Sequence, residues 1–262
     1  GKSALLAEFA VRAMAAGPDL VVAGGACNAL VGIGDPYLPF RDILALFAGD
    51  AEARRAGRSI TADQARRLAA LLPDFVHALV AHGPDLLDSF VPAAPLLARI
   101  EALDRGEATD HAAAQLAELI HRRKIGAPAN AAPGPAALFD QFARVLAALA
   151  DRQPLLLVLS DLQWADSESL SLLFHLARRL EHSRVLLACT YRADEIELGR
   201  GGSRHPLERV VNELEREFGE LRIELTAAPG RAFVDALLDT EPNALPEDFR
   251  AALTARTGGH PL

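Results

Sequence analysis

Aromatic residues, cysteines and long apolar runs are all scarce in this chain, and each shortage removes a class of protein. Only 5% of its 262 residues are aromatic although half are hydrophobic, so Leu, Ala and Val must build the interior. An aliphatic interior suits helices packed over a buried parallel sheet better than a β-sandwich. The two cysteines, Cys27 and Cys189, have no Cys-x-x-Cys partner. That argues against a disulfide framework and fits a reducing, cytoplasmic setting. No uninterrupted apolar stretch approaches the ~20 residues that span a bilayer, and no basic segment followed by an apolar one opens the chain, so no signal peptide is legible. Basic charge is also short. The formal net charge of −8 argues against nucleic acid or an anionic membrane as a partner of this segment. The eight histidines form no His-x-x-x-His or Cys/His set, which leaves a structural metal without ligands.

What is present is an alternation of helical and strand patterns. Leu5, Leu6, Phe9, Ala10 and Ala13 recur at helical spacing from Ser3 to about Ala16, and Gly17-Pro18 stops that helix. Leu20–Ala23 is a short buried strand running into Gly24-Gly25. From Pro39 to about Arg123 the pattern is helical, with breaks expected at Pro73, Gly83-Pro84, Pro92 and Pro95. Leu68, Leu71, Leu72, Phe75, Val76 and Leu79 form one apolar stripe of this insertion, and Leu96, Leu97, Ile100 and Leu103 another. Gly126 to Pro135 reads as an exposed connector. A helix over about 136–150 then leads into Leu155-Leu156-Leu157-Val158-Leu159, the strongest strand signal of the chain. Helix 169–180, strand 185–189, helix 207–218 and strand 221–225 follow. This order implies right-handed crossovers and a parallel α/β sheet of four strands, near 20–26, 155–160, 184–189 and 221–225. A last helical part spans Arg231 to Arg256 and stops at Gly258-Gly259.

Two short motifs carry chemistry. Gly1-Lys2-Ser3 reads as the last three residues of a phosphate-binding P-loop, with Lys2 reaching the β- and γ-phosphates and the Ser3 hydroxyl coordinating Mg²⁺. A P-loop needs a strand and an earlier glycine before it, so the chain reads as a piece of a longer protein, poorly stable alone. Ser160-Asp161 ends the aliphatic strand, where ligands of open α/β sheets bind, and Asp161 there is placed to hold Mg²⁺ directly or through water. The plainer reading is an Asp that caps the next turn.

The string Leu155–Asp166, ending Ser-Asp-Leu-Gln-Trp-Ala-Asp, resembles the Walker B segment of STAND-type, AAA+-related ATPases. Such domains occur in bacterial LuxR-type transcriptional regulators and in cyclase-linked ATPases. Tyr37-Leu38-Pro39-Phe40, Thr190-Tyr191-Arg192 and Gly258-Gly259-His260-Pro261-Leu262 match further pieces in order. The resemblance implies a P-loop NTPase sheet flanked by helices, with core 1–228, a helical insertion at about 40–125, and the start of a helical lid at 229–262. It also implies ATP and Mg²⁺ as cofactors, Arg192 reading the γ-phosphate and Pro261 touching the adenine. Plainer readings stand beside these: Arg192 as a salt-bridged surface residue, Pro261 as a helix stop, Trp164 as packing and Asp166 as a helix cap. The family usually carries two adjacent acids where this chain has Ser160-Asp161. Losing a positioned base typically slows a reaction ~10²–10⁴-fold while leaving binding largely intact. The expectation is therefore a nucleotide switch with slow hydrolysis, joined to a DNA-binding, cyclase or helical-repeat domain and able to self-associate with nucleotide. The alternatives are a scaffold that has lost its ligand and a loader or origin-recognition-like machine. The machine would need an arginine finger, and none is identifiable.

Overall fold

The computed structural model describes residues 1–29, 36–50, 60–103, 106–125, 133–197, 205–225 and 230–257. Helix α1 (Lys2–Ala16) turns back through Gly17–Leu20 into strand β1 (Val21–Ala26). Next come α2 (Leu38–Phe47), α3 (Ala62–His82), α4 (Ala93–Glu101), α5 (Glu107–Ile125) and α6 (Pro135–Ala150). Strand β2 (Leu155–Ser160), α7 (Ser167–Arg179) and β3 (Val185–Cys189) complete the sheet, followed by α8 (Ala193–Glu197), α9 (Pro206–Phe218), α10 (Gly230–Leu238) and α11 (Glu247–Thr257). The sheet is parallel throughout in the order β1-β2-β3, with Val21 opposite Leu155 and Leu155 opposite Val185. This is the α/β architecture expected of a P-loop NTPase.

Strand β2 is central, so both of its faces must be covered, and its unbroken Leu-rich run is the sequence consequence. Leu155, Leu156, Leu157 and Leu159 are each at most 1% exposed. Leu155, Leu157 and Leu159 join one large core with Phe40, Ile43, Leu44, Phe142 and Leu146. Phe142 meets Phe40 and Phe90 edge to face, with ring centroids at 5.8 and 5.6 Å. The outer edge of β1 is blunted by side chains: Gln64 Nε2 donates to Val22 O at 2.9 Å, and Asp42 Oδ2 accepts from Ala26 N–H at 3.5 Å.

Three sequence expectations are corrected. Pro73 does not break the helical insertion; it lies inside the 21-residue α3. A proline there costs about 3 kcal/mol, but Leu68, Leu71, Leu72, Phe75, Val76 and Leu79 flank it and all are buried. At roughly 1.5–3 kcal/mol per buried side chain, that burial outweighs the lost hydrogen bond. Pro95 lies in the first turn of α4, where a proline removes no helical bond. The expected fourth strand is absent among the described residues. Leu221–Leu225 belongs to no ladder and is exposed throughout, Ile223 by 86%. A strand is made by its neighbour's hydrogen bonds, and this segment has none; Arg222 instead forks onto Glu215, with Nε and Nη2 at 2.7 and 2.5 Å from its two carboxylate oxygens.

The expected connector falls mostly on 126–132, outside the described residues, as does the Gly258–Leu262 motif. The last helical part is two helices, α10 and α11, tied together by Arg231–Glu247 at 2.6 Å and Arg250–Asp235 at 3.2 Å. No helix among the described residues is long and apolar enough to cross a membrane.

Candidate nucleotide site

Strand β2 ends at Ser160, and the chain turns at once because Asp161 adopts left-handed backbone (φ 59°, ψ 44°). Asp tolerates that conformation better than most residues. The turn is clamped from the end of β3. Asp161 N–H donates to Thr190 Oγ1 at 3.1 Å, and Leu162 N–H donates to Thr190 O at 2.9 Å. Thr190 N–H in turn donates to Leu159 O at 2.9 Å. The Asp161 carboxylate therefore stands at the mouth of the sheet on a turn that three backbone donors define.

This end of the sheet is negative. The Cys27 thiol, just past β1, is pushed up to about 12, first by burial and then by the charges of Asp166, Asp161 and Asp42. Burial, the larger cause, disfavours any unpaired charge; the three carboxylates are what make this end of the sheet negative. Among the described residues no group of three or more His, Cys, Asp or Glu forms a metal cage.

Backbone donors that the helix does not use stand at the start of α1. Gly1 is its N-cap, with no side-chain cap, and Leu5 N–H is the donor that returns to Gly1 O, at 3.1 Å. The N–H groups of Lys2, Ser3 and Ala4 precede that bond, so the helix itself leaves them unclaimed at its positive end. Lys2 and Ser3 are exposed, and a Cβ at Gly1 would meet nothing within 4 Å. Backbone N–H groups, an ammonium and a hydroxyl on open space are a donor set that fits a phosphate group. Because α1 turns directly back into β1, its N-terminus lies toward the end where the strands finish, the side of Asp161. The helix that opens with Lys2 and Ser3 packs through Ala10 and Met14 on Val22, Leu156 and Val158, and so on the strand that leads to Asp161.

The other expected residues divide. Arg192 lies two residues beyond Thr190, and its guanidinium, more than half exposed, pairs with Glu195 at 3.3 Å. A surface pair of this kind contributes little to stability. Pro261 lies outside the described residues. Asp166 caps α7, with Oδ1 accepting from Ser169 N–H at 2.7 Å, and Trp164 packs half-buried against the core. The Tyr37–Phe40 motif is architectural. Tyr37 takes left-handed backbone (φ 67°) as the N-cap of α2, and the Pro39 backbone lies so near Gly25 that a Cβ there would fall 1.9 Å from Pro39 O.

Sequence reasoning missed Gln163 and His205. Gln163 is only 3% exposed, although it stands beside a charged turn. Its Nε2 donates to Asp161 Oδ1 and its Oε1 accepts from Arg192 N–H, both at 3.3 Å. His205 Nε2 reaches Gln163 O at 3.1 Å, and its Nδ1 accepts from Leu207 N–H at 3.2 Å to cap α9. A carbonyl can only accept and a backbone N–H can only donate, so Nε2 is the donor and Nδ1 the acceptor in this pair of bonds. Each has one partner two residues away, but the bonds that tie them into the site reach 29 and 42 positions along the chain, where no local pattern could show them.

A three-stranded parallel sheet, a first helix that opens with Gly1-Lys2-Ser3 and a central strand that ends in Ser160-Asp161 are the arrangement of a P-loop nucleotide-binding domain. The family model of the AAA ATPase domain matches residues 1–188, and the chain belongs to that family. AAA ATPase domains bind ATP, usually with Mg²⁺. No curated protein and no solved structure matches the chain significantly.

Proposed function

We propose that the chain is a slowly hydrolysing, ATP- and Mg²⁺-binding regulatory module, the nucleotide switch of a larger, multidomain cytoplasmic protein of the STAND type. Residues 1–228 form the ATPase core and 229–262 begin its lid. The observation that carries the reading is the donor set of Gly1, Lys2 and Ser3 on a family-matched core whose central strand ends in Ser160-Asp161. Lys2 and the α1 N–H groups bind phosphate, Ser3 and Asp161 hold the metal, Arg192 reads the γ-phosphate and Pro261 bears on the base. Mg²⁺ supplies charge neutralisation between the phosphates. Ser160 has a hydroxyl where a second carboxylate would orient water, so binding outlasts turnover. Long-lived bound states suit a switch that passes nucleotide occupancy to a DNA-binding, cyclase or helical-repeat domain, or to self-association. Membrane and nucleic acid are not partners of this segment.

Mg-ATP affinity and turnover, measured in the full-length protein, test the reading. Micromolar binding is expected, with about one turnover per minute or fewer, a barrier of ~20 kcal/mol or more. Lys2→Ala abolishes the binding, and Ser160→Asp raises turnover at least ~10-fold. A folded protein that binds no nucleotide overturns the switch and leaves an interaction scaffold, the reading that Ser160 and the Arg192–Glu195 pair would then favour.

A further inference from the structure

We infer that Gln163 is the positioning residue that locks the Asp161 carboxylate to the turn carrying Arg192, so that the metal-side and phosphate-side groups are held as one unit. The inference rests on the nucleotide reading for the roles of those two groups, but the lock itself is a property of the folded chain. Gln163 is almost wholly buried, and its primary amide meets two partners of opposite kind. The Asp161 carboxylate can only accept, so it takes the Nε2–H; the Arg192 backbone N–H can only donate, so it takes Oε1. Rotating the amide by half a turn would set oxygen against carboxylate and N–H against N–H. One orientation alone satisfies both partners, and the buried amide itself has little water to turn to.

The amide spans the two turns that follow β2 and β3, between which Thr190 already supplies backbone bonds. Thr190 fixes the Asp161 main chain; Gln163 is the residue that fixes its carboxylate. The Gln163 carbonyl also accepts from His205, so the same residue anchors the N-cap of α9. Partners that hydrogen-bond a metal-binding carboxylate typically change affinity or rate 10–100-fold when removed.

The test is Gln163→Leu in the full-length protein, read in two ways. In the nucleotide-free protein, hydrogen exchange of the Arg192 amide should accelerate at least ~10-fold while amides within β2 keep their protection. With Mg-ATP, turnover should fall ~10–100-fold with Kd unchanged within about 3-fold, and should fall no further when Gln163→Leu is added to Asp161→Asn. Gln163→Glu keeps the volume and the acceptor but faces Asp161 with a second carboxylate. Its turnover should fall at least as far as that of Gln163→Leu although the volume is kept, a loss that a packing role would not give. Unchanged exchange at Arg192 overturns the lock, as do losses that multiply with those of Asp161→Asn. If the wild-type protein binds no Mg-ATP, the nucleotide reading fails by itself, and the exchange measurement still decides whether Gln163 holds the turn.

Discussion

The two faces of the sheet are built from the same aliphatic residues and buried to different depths. One face, carrying Val21, Ala23, Leu155, Leu157 and Leu159, faces the helical insertion, and each of these is at most 1% exposed. The other carries Val22, Leu156, Val158, Leu186 and Ala188, with α1 laid across it. Met14 is the one fully buried residue of α1, while Leu5, Phe9 and Val11 are 51, 43 and 46% exposed and Leu186 on β3 is 53% exposed. Burial is therefore deeper on the insertion side, and α1, which opens with Gly1-Lys2-Ser3, lies on the shallower side. Elements that open and close around ligands are drawn from regions of low local stability. The insertion carries none of the proposed site residues and covers the more deeply buried face of the sheet.

That contrast can be broken first at Gly25. A Cβ there collides with the Pro39 backbone, which cannot rotate away. Gly25→Ala should cost upwards of ~4 kcal/mol, removing a large part of the stability of a domain of this kind. Urea unfolding would show the loss, and a shift below 1 kcal/mol would mean that α2 does not rest on β1. The next largest effect compares the faces directly. Phe142→Ala, within the insertion-side core, should cost ~3–5 kcal/mol, and Met14→Ala ~2 kcal/mol. The double variant should add within ~0.5 kcal/mol, because the two clusters share no side chain. Equal single costs would dissolve the contrast.

The smallest effect sharpens it. Arg67 reaches from α3 to the C-terminal end of α1, donating to Met14 O at 3.1 Å, Gly17 O at 2.8 Å and Leu20 O at 2.9 Å, while Asp63 pairs with it at 2.8 Å. Its guanidinium is placed where a helix end favours positive charge. Arg67→Ala should cost ~1–3 kcal/mol and speed hydrogen exchange in α1 without altering β2. Exchange rising equally in both would show that α1 opens only with the whole domain.

The sequence by itself determined the sheet's centre and several of its helix ends. A run of five aliphatic residues, too short for a helix and bounded by Gln153-Pro154 and Ser160-Asp161, is the pattern of a strand covered on both faces, so β2 and its C-terminal Asp161 were legible locally. Asp166 before Ser167-Glu168 marked the cap of α7, and Gly83-Pro84 the end of α3, because capping and proline act within one turn. The donor set at Gly1–Ser3 was legible as well, since a helix N-terminus is defined by the residues that begin it. Tertiary structure alone decided the rest. Pro73 stays helical because six buried neighbours outweigh one lost hydrogen bond, and Leu221–Leu225 stays out of the sheet because no neighbouring strand meets it. Gln163 joins the candidate site because the fold brings Arg192 and His205 to it from 29 and 42 residues away. Periodicity records which face a residue turns inward; which partner waits there depends on contacts between distant segments, and only the assembled chain contains those.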